Sequence, residues 1–335
     1  MAFPVTDATA RDLLDQEYGI SGQVRVSPLP GSVMNPNWVL EVAGSERLVV
    51  RCFLRNRNPA RLGFQMAFHQ TLAGLGFPVP AILANCRGDS LSAHAGFLWA
   101  VYAWVDGEEY DYNSQGQLDS AGTLLGTLHA GLAGAEIPGY VEPSGFPRYA
   151  EWSERGEDLL RGSLSGTGSS PLPPEDVEFA LAVQRWMAGT LGAAGYGTLP
   201  KQFVWGDVHG RNLKFRNDQI VGLLDFDVVR WESPAYDVGS AVYMLCRRSR
   251  SDLTIRLDAV SRLVQAYARS RPLSAAEARA VLPLLIYRYI TDLHVPGPLP
   301  LRSDPGAEAR KAIRILRALW VVRDELAALL VAESG

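Results

Sequence analysis

The chain has 335 residues, 47% of them apolar and 20% charged, with 32 basic against 36 acidic side chains and a net charge of −4. This length allows about two domains. The composition excludes a disordered or fibrous chain, and the charge excludes a nucleic-acid binder that works through bulk positive potential. Cys52, Cys86 and Cys246 are too widely spaced for a disulfide framework or a paired-cysteine metal site.

In chain order, the first hundred residues read mainly as strands. A helix is predicted over 7–18 with Thr6 as its cap. Strands follow over 23–29, 37–43 and 47–53, with Gly44-Ser45 as the turn between the last two. A helix over 59–75 is ended by Gly76 and Pro78. Further strands fit 81–84 and 97–104, and Asp106-Gly107 breaks the pattern. Leu118, Leu124, Leu125, Leu128 and Leu132 then mark one face of a helix. Residues 163–174 read as a flexible loop, 174–191 as a helix, and 202–227 as a strand-rich island. Helices over 235–248, 252–269, 274–294 and 307–332 complete the chain.

The predicted fold class is therefore α+β. A small antiparallel β lobe over 1–105 precedes a larger, mainly helical lobe over 106–335. The apolar stretch 97–105 is too short to cross a bilayer. The N-terminus has no basic segment followed by an apolar run, so the expected location is the cytoplasm.

Residues 204–237 carry the chemistry. Asp207 and Asn212 lie five apart in a loop, and Asp225 follows Asn212 by 13 residues. Short apolar strands flank the polar turn 216–219, so a hairpin returns Asp225 to the end where Asn212 sits. Two oxygen ligands beside a further carboxylate suit Mg2+ shared with phosphates. Phosphoryl transfer needs this set: one carboxylate to orient the acceptor hydroxyl, and an Asn and an Asp to hold metal on the phosphates.

The segment resembles the aminoglycoside phosphotransferase and choline kinase superfamily, small-molecule kinases with a bilobal protein-kinase-like fold. The matching residues are Trp205-Gly206-Asp207-Val208-His209-Gly210-Arg211-Asn212, Leu224-Asp225-Phe226-Asp227 and Ser233-Pro234-Ala235-Tyr236-Asp237. Gly76-Phe77-Pro78-Val79-Pro80 and Leu124-Leu125-Gly126-Thr127-Leu128-His129 support it. The resemblance implies ATP and Mg2+, with Asp207 as catalytic base and Asn212 and Asp225 as metal ligands. Asp237 would be a buried acid that holds the loop. A phosphate-binding turn is expected at 30–35, through Gly31, Ser32 and Asn35, and an adenine-binding hinge near Tyr102 and Trp104.

The family commonly places a lysine on the third strand, but the only lysines are Lys201, Lys214 and Lys311. Arg51 stands at that position, and arginine binds phosphate bidentately. The position of its partner glutamate holds Gln65, which is expected to hydrogen-bond Arg51. Trp205 replaces a histidine, and an indole has no acid–base chemistry.

The C-terminal third and Tyr18-Gly19-Ile20 are loosely similar to homoserine-kinase-type members. The expected partner is a small hydroxylated acceptor, an amino alcohol or hydroxy amino acid, rather than nucleic acid or membrane. Asp227, Glu232 and Asp292 are candidates to meet its amine, Arg288 or Arg230 its carboxylate, and His209 the substrate more generally. Alternatives are an aminoglycoside acceptor, a nucleotide-binding pseudokinase and a protein Ser/Thr kinase. The last is disfavoured because no activation segment fits between Asp225 and Asp237.

Overall fold

In a computed structural model, residues 5–22, 24–30, 35–42, 47–54, 56–142, 149–164, 172–294 and 305–333 are described. Gly31, Ser32 and the Gly44-Ser45 turn lie outside the described residues. Helix α1 (Asp7–Tyr18) opens on a capping box in which Thr6 and Thr9 exchange hydrogen bonds, and it closes on Gly19 at φ 64°. Its Ala10, Leu13 and Leu14 pack on a core that includes Val26, Trp38, Leu40 and Trp99.

The antiparallel sheet of this lobe runs β1 (Val24–Pro28), β2 (Asn37–Val42), β3 (Leu48–Phe53), β6 (Phe97–Ala103) and β4 (Ile82–Leu83), with β5 (Ser92–His94) also on β6. On central β3, Val50, Cys52 and Phe53 are buried. The register sets Arg51 between Asn37 and Ala100, beside the cleft.

Helix α2 (Pro59–Gly74) starts on the Asn58 side chain, which accepts from the Ala60 and Arg61 amides, with Pro59 in the first turn. It faces two cores. Leu62 and Met66 pack with Phe53 and Ala100 of the sheet, whereas Phe64, Phe68 and Leu72 join the core of the helical lobe. Spacings of four residues give these two rows on one helix. The seam is aromatic: Phe64 meets Phe203 at 5.3 Å, and Phe68 meets Phe226 at 5.5 Å between ring centroids.

The helical lobe contains α3 (Gln115–Leu132), α4 (Tyr149–Leu164), α5 (Pro174–Ala193), α6 (Ala235–Leu245), α7 (Leu257–Ala268), α8 (Ala275–His294), α9 (Pro305–Val321) and α10 (Arg323–Ala332). Helices α3 and α7 approach closely because α3 carries Gly122 and Gly126. A Cβ at Gly122 would lie 2.6 Å from the Leu263 carbonyl. Between α5 and α6, β7 (Gln202–Val204) pairs with β10 (Arg230–Glu232), and β8 (Leu213–Arg216) with β9 (Gln219–Leu223).

Several elements differ from the sequence reading. Helix α4 and strands β5 and β10 were not expected from the pattern. The single helix read over 307–332 is two, parted at Val322, whose φ −102° and ψ 7° leave helical geometry. Helix α7 starts at Leu257 because residues 254–256 are extended and pair back on 246–248, with the Arg248 amide donating to the Thr254 carbonyl at 3.1 Å and the Arg256 amide to the Cys246 carbonyl at 2.8 Å. No helix of the described residues is long and apolar enough to cross a membrane.

Candidate active site

The loop between β7 and β8 is anchored from below. Asp237 of α6 is fully buried and accepts the Trp205 and Gly206 amides, each at 2.8 Å. His129 of α3 stands 3.3 Å from the same carboxylate and 2.9 Å from the Tyr267 hydroxyl. Gly206 sits at φ 85°, where a Cβ would lie 2.5 Å from the Val228 carbonyl, so the turn requires glycine.

Trp205 is buried and donates its indole N–H to the Asp225 carbonyl at 2.7 Å. The position needs only a donor at that point, which an indole supplies. Asp225 has φ 63°, a left-handed conformation that aspartate tolerates better than most residues. The hairpin of β8 and β9 closes the spacing read from sequence, because the Leu224 amide donates to the Asn212 carbonyl at 2.8 Å.

Asn35, Arg51, Gln65, Tyr102 and Trp104 from the β lobe line one cavity of about 430 Å3 together with Asp207, His209, Asn212, Asp225 and Asp227 from the helical lobe. Val49, Met66, Leu224 and Phe226 give it apolar walls, and Arg211 and Lys214 add cations that the sequence reading did not single out.

Asp207 is held from three sides. Arg288 of α8 donates to it at 2.9 Å and also bonds the Gly206 carbonyl and the Ser240 hydroxyl. The His209 Nε2 lies 3.3 Å from its other oxygen, and the Asn212 amide donates to it at 3.2 Å. Burial pushes the Asp207 carboxyl up, but the hydrogen bonds and charges of His209 and Arg288 prevail and hold it well below the carboxylate range. At Asp225 burial also raises the carboxyl; Arg51 opposes this, Asp227 and Asp207 add to it, and the group rises to about 6.

Arg51 donates to Asp227 at 2.7 Å and to Asp225 at 3.3 Å. Gln65 donates to the Asp227 carbonyl at 2.9 Å rather than to Arg51. Asn35 donates to the Asp227 carboxylate at 2.7 Å. The Asp227 charge therefore faces Arg51 and Asn35. Glu232 is buried outside the cleft, where it accepts the Tyr196 hydroxyl and the Ser233 amide. Arg288 lies behind Asp207. The backbone amides of Ala103 and Trp104 are spent on the Ala81 and Arg47 carbonyls. The side chain of Trp104 bonds Asp106.

The sequence reading missed Arg61. It is buried and donates to the carbonyls of Val141, Asp227 and Val229. Its position four residues before Gln65, on the same helix face, was the available signal.

The profile of the APH family, described as "Phosphotransferase enzyme family", matches residues 25–273. The chain belongs to the APH phosphotransferase family. It is a small-molecule kinase with a bilobal α+β fold. A homoserine kinase of Azorhizobium caulinodans is 25% identical over 332 residues, which cover 95% of this chain and 97% of that one. Among solved structures, a microcompartment-associated aminopropanol kinase superposes with a TM-score of 0.70 at 19% identity, covering 97% of this chain and 98% of that one. An amicoumacin kinase in complex with AMP-PNP and Ca2+ gives a TM-score of 0.69 at 15% identity, with 93% of each chain covered.

Proposed function

We propose that this APH-family kinase moves the γ-phosphoryl group of ATP to the hydroxyl of a small amino alcohol or hydroxy amino acid of the homoserine type. The observation that carries the reading is the convergence of Asp207, Asn212 and Asp225 on one cavity between the lobes. The homoserine kinase relatives and the aminopropanol kinase fold support the acceptor class.

The donor set fits Mg2+ that arrives on nucleotide. Asn212 spends its side-chain amide nitrogen on Asp207, which leaves its side-chain oxygen Oδ1 for a ligand. The raised carboxyl of Asp225 marks a place where negative charge lacks compensation. Among the described residues no three acidic, His or Cys side chains form a metal cage, and Mg2+ shared with phosphates needs none. When bound, the ion neutralises charge on the phosphates and polarises the bond to the leaving group.

The chain's own residues do the rest. Asp207 accepts a hydrogen bond from the acceptor hydroxyl and aims its oxygen at the γ-phosphorus. As the new O–P bond forms, the bond to the β-phosphate oxygen breaks and the hydroxyl proton passes to Asp207. A carboxylate held this far below its usual range is a weak base, so orientation comes first and proton transfer late. Arg51 supplies a fixed positive charge for the phosphates. Tyr102, Ala103, Trp104 and Val105 border the place for adenine.

The test is ADP release with MgATP over homoserine, choline, ethanolamine, hydroxylysine, methylthioribose and several aminoglycosides, against a blank without acceptor. Strong turnover with homoserine or an amino alcohol is the expected result. Turnover confined to aminoglycosides overturns the acceptor class, and silence across the whole panel overturns the reading.

A further inference from the structure

We propose that Asp227, not a side chain of helix α2, is the anion that positions Arg51, and that α2 controls Arg51 through it. The inference rests on reading the cleft as the nucleotide site. The face of α2 toward the cleft carries Arg61, Gln65 and His69, four residues apart and each at most 3% exposed. None of the three is acidic. His69 is 2.6 Å from the Pro80 carbonyl. Arg61 and Gln65 both hold the backbone carbonyl of Asp227, at 3.0 and 2.9 Å, and Arg61 also holds that of Val229. Helix α2 thus grips a backbone segment and presents donors only.

The acceptor for Arg51 comes from the gripped segment itself. One Asp227 carboxylate oxygen takes the Arg51 guanidinium at 2.7 Å and the Asn35 amide at 2.7 Å. Asn35 is fixed in turn, because its carbonyl oxygen accepts the Leu54 amide at 2.9 Å, just past the end of β3. The connection runs from α2 to the Asp227 backbone, then through its carboxylate to Arg51. A guanidinium ordered by a planar carboxylate loses less freedom when phosphate binds than one that is loose. Asp227 is a positioning residue in this role, and the missing glutamate at position 65 is not a loss of function.

A double-mutant cycle on ATP affinity without metal, in EDTA, tests the connection, since it needs neither acceptor nor turnover. In the otherwise unchanged protein, Arg51→Met is expected to weaken ATP binding by about ten- to a hundredfold, the scale of a charge-assisted hydrogen bond. In an Asp227→Asn background the same substitution is expected to cost less than about threefold, because Arg51 loses its charged 2.7 Å partner and keeps only the longer 3.3 Å contact to Asp225. Asp227→Asn keeps the side-chain shape, and the α2 bonds go to backbone, so the fold is expected to survive. If its cooperative unfolding transition is lost, Gln65→Leu, which removes one of the two α2 bonds to the Asp227 carbonyl, serves as the background instead, with the same direction of change expected. An equal Arg51→Met factor in the changed and unchanged backgrounds overturns the inference. Absence of ATP binding by the unchanged protein overturns instead the reading of the cleft.

Discussion

At the scale of single residues, the site places two carboxylates in opposite electrostatic situations. Asp207 is held by Arg288 and His209 and stays ionised; Asp225, partly buried beside Asp227 and Asp207 as well as Arg51, resists ionisation. Arg288→Met removes the guanidinium that holds Asp207, so its carboxyl rises. An acid limb is then expected in the pH profile of kcat/KM that the unchanged enzyme lacks, and identical profiles would contradict the role of Arg288.

For Asp225 the sign is reversed. Its folded-state pKa of about 6 lies above the ordinary value of 3.8, so the folded protein binds the extra proton between the two. Stability of the ligand-free protein therefore falls as pH rises through that window, and the full cost is present above pH 6. Asp225→Asn removes this cost. The variant is expected to unfold at higher urea than the parent at pH 8, with the gain shrinking toward pH 4 (about the ordinary pKa of the group). Turnover should be lost at every pH. A variant less stable than the parent at pH 8 would contradict this.

At the scale of elements, glycines and aromatic side chains set the distances. Gly122 lets α3 settle against the backbone of α7, and Gly122→Ala would set a methyl 2.6 Å from the Leu263 carbonyl. The helices must part, at a cost of about 1–3 kcal/mol measurable by urea unfolding. A change near zero would show that the pair has slack.

The elements also show what sequence can carry. The spacing from Asp207 to Asn212 to Asp225 is local, and a hairpin closes it, so it was legible. The cap at Thr6 and the stop at Gly76 were legible for the same reason. Helix α4 was not, because its sequence carries Gly156 and Gly162, poor helix formers, and its apolar row is short, with Leu160 and Leu164 following Gly156 at a spacing of four. The break at Val322 has no glycine or proline to mark it. The part played by Arg61 needed a partner 166 residues away, which no local pattern encodes. Glu232 was read as a candidate to meet the acceptor's amine, whereas pairing of β7 with β10 buries it beside Tyr196.

At the scale of the whole molecule, the two lobes share α2, which sends one row of side chains into each core. Polar bonds across the cleft add to this seam, with Arg51, Asn35, Gln65 and Arg61 all reaching Asp227. A ligand that fills the cleft binds both lobes at once. ATP at a hundred times its dissociation constant is expected to add about 2.7 kcal/mol to unfolding stability. That gain should appear as a single raised transition for the whole chain. A raised transition confined to one part would show that the lobes unfold independently.

The central claim is phosphoryl transfer through Asp207. The most direct measurement is mass spectrometry of the acceptor after incubation with ATP labelled with oxygen-18 in the γ-phosphoryl group, for the parent and Asp207→Asn. The expected result is a phosphorylated acceptor that carries the labelled γ-phosphoryl oxygens from the parent, with the rate falling by about 10^2–10^4-fold in the variant. Labelled product at parental rate from Asp207→Asn would contradict the assignment. Label found only in free phosphate would contradict transfer itself.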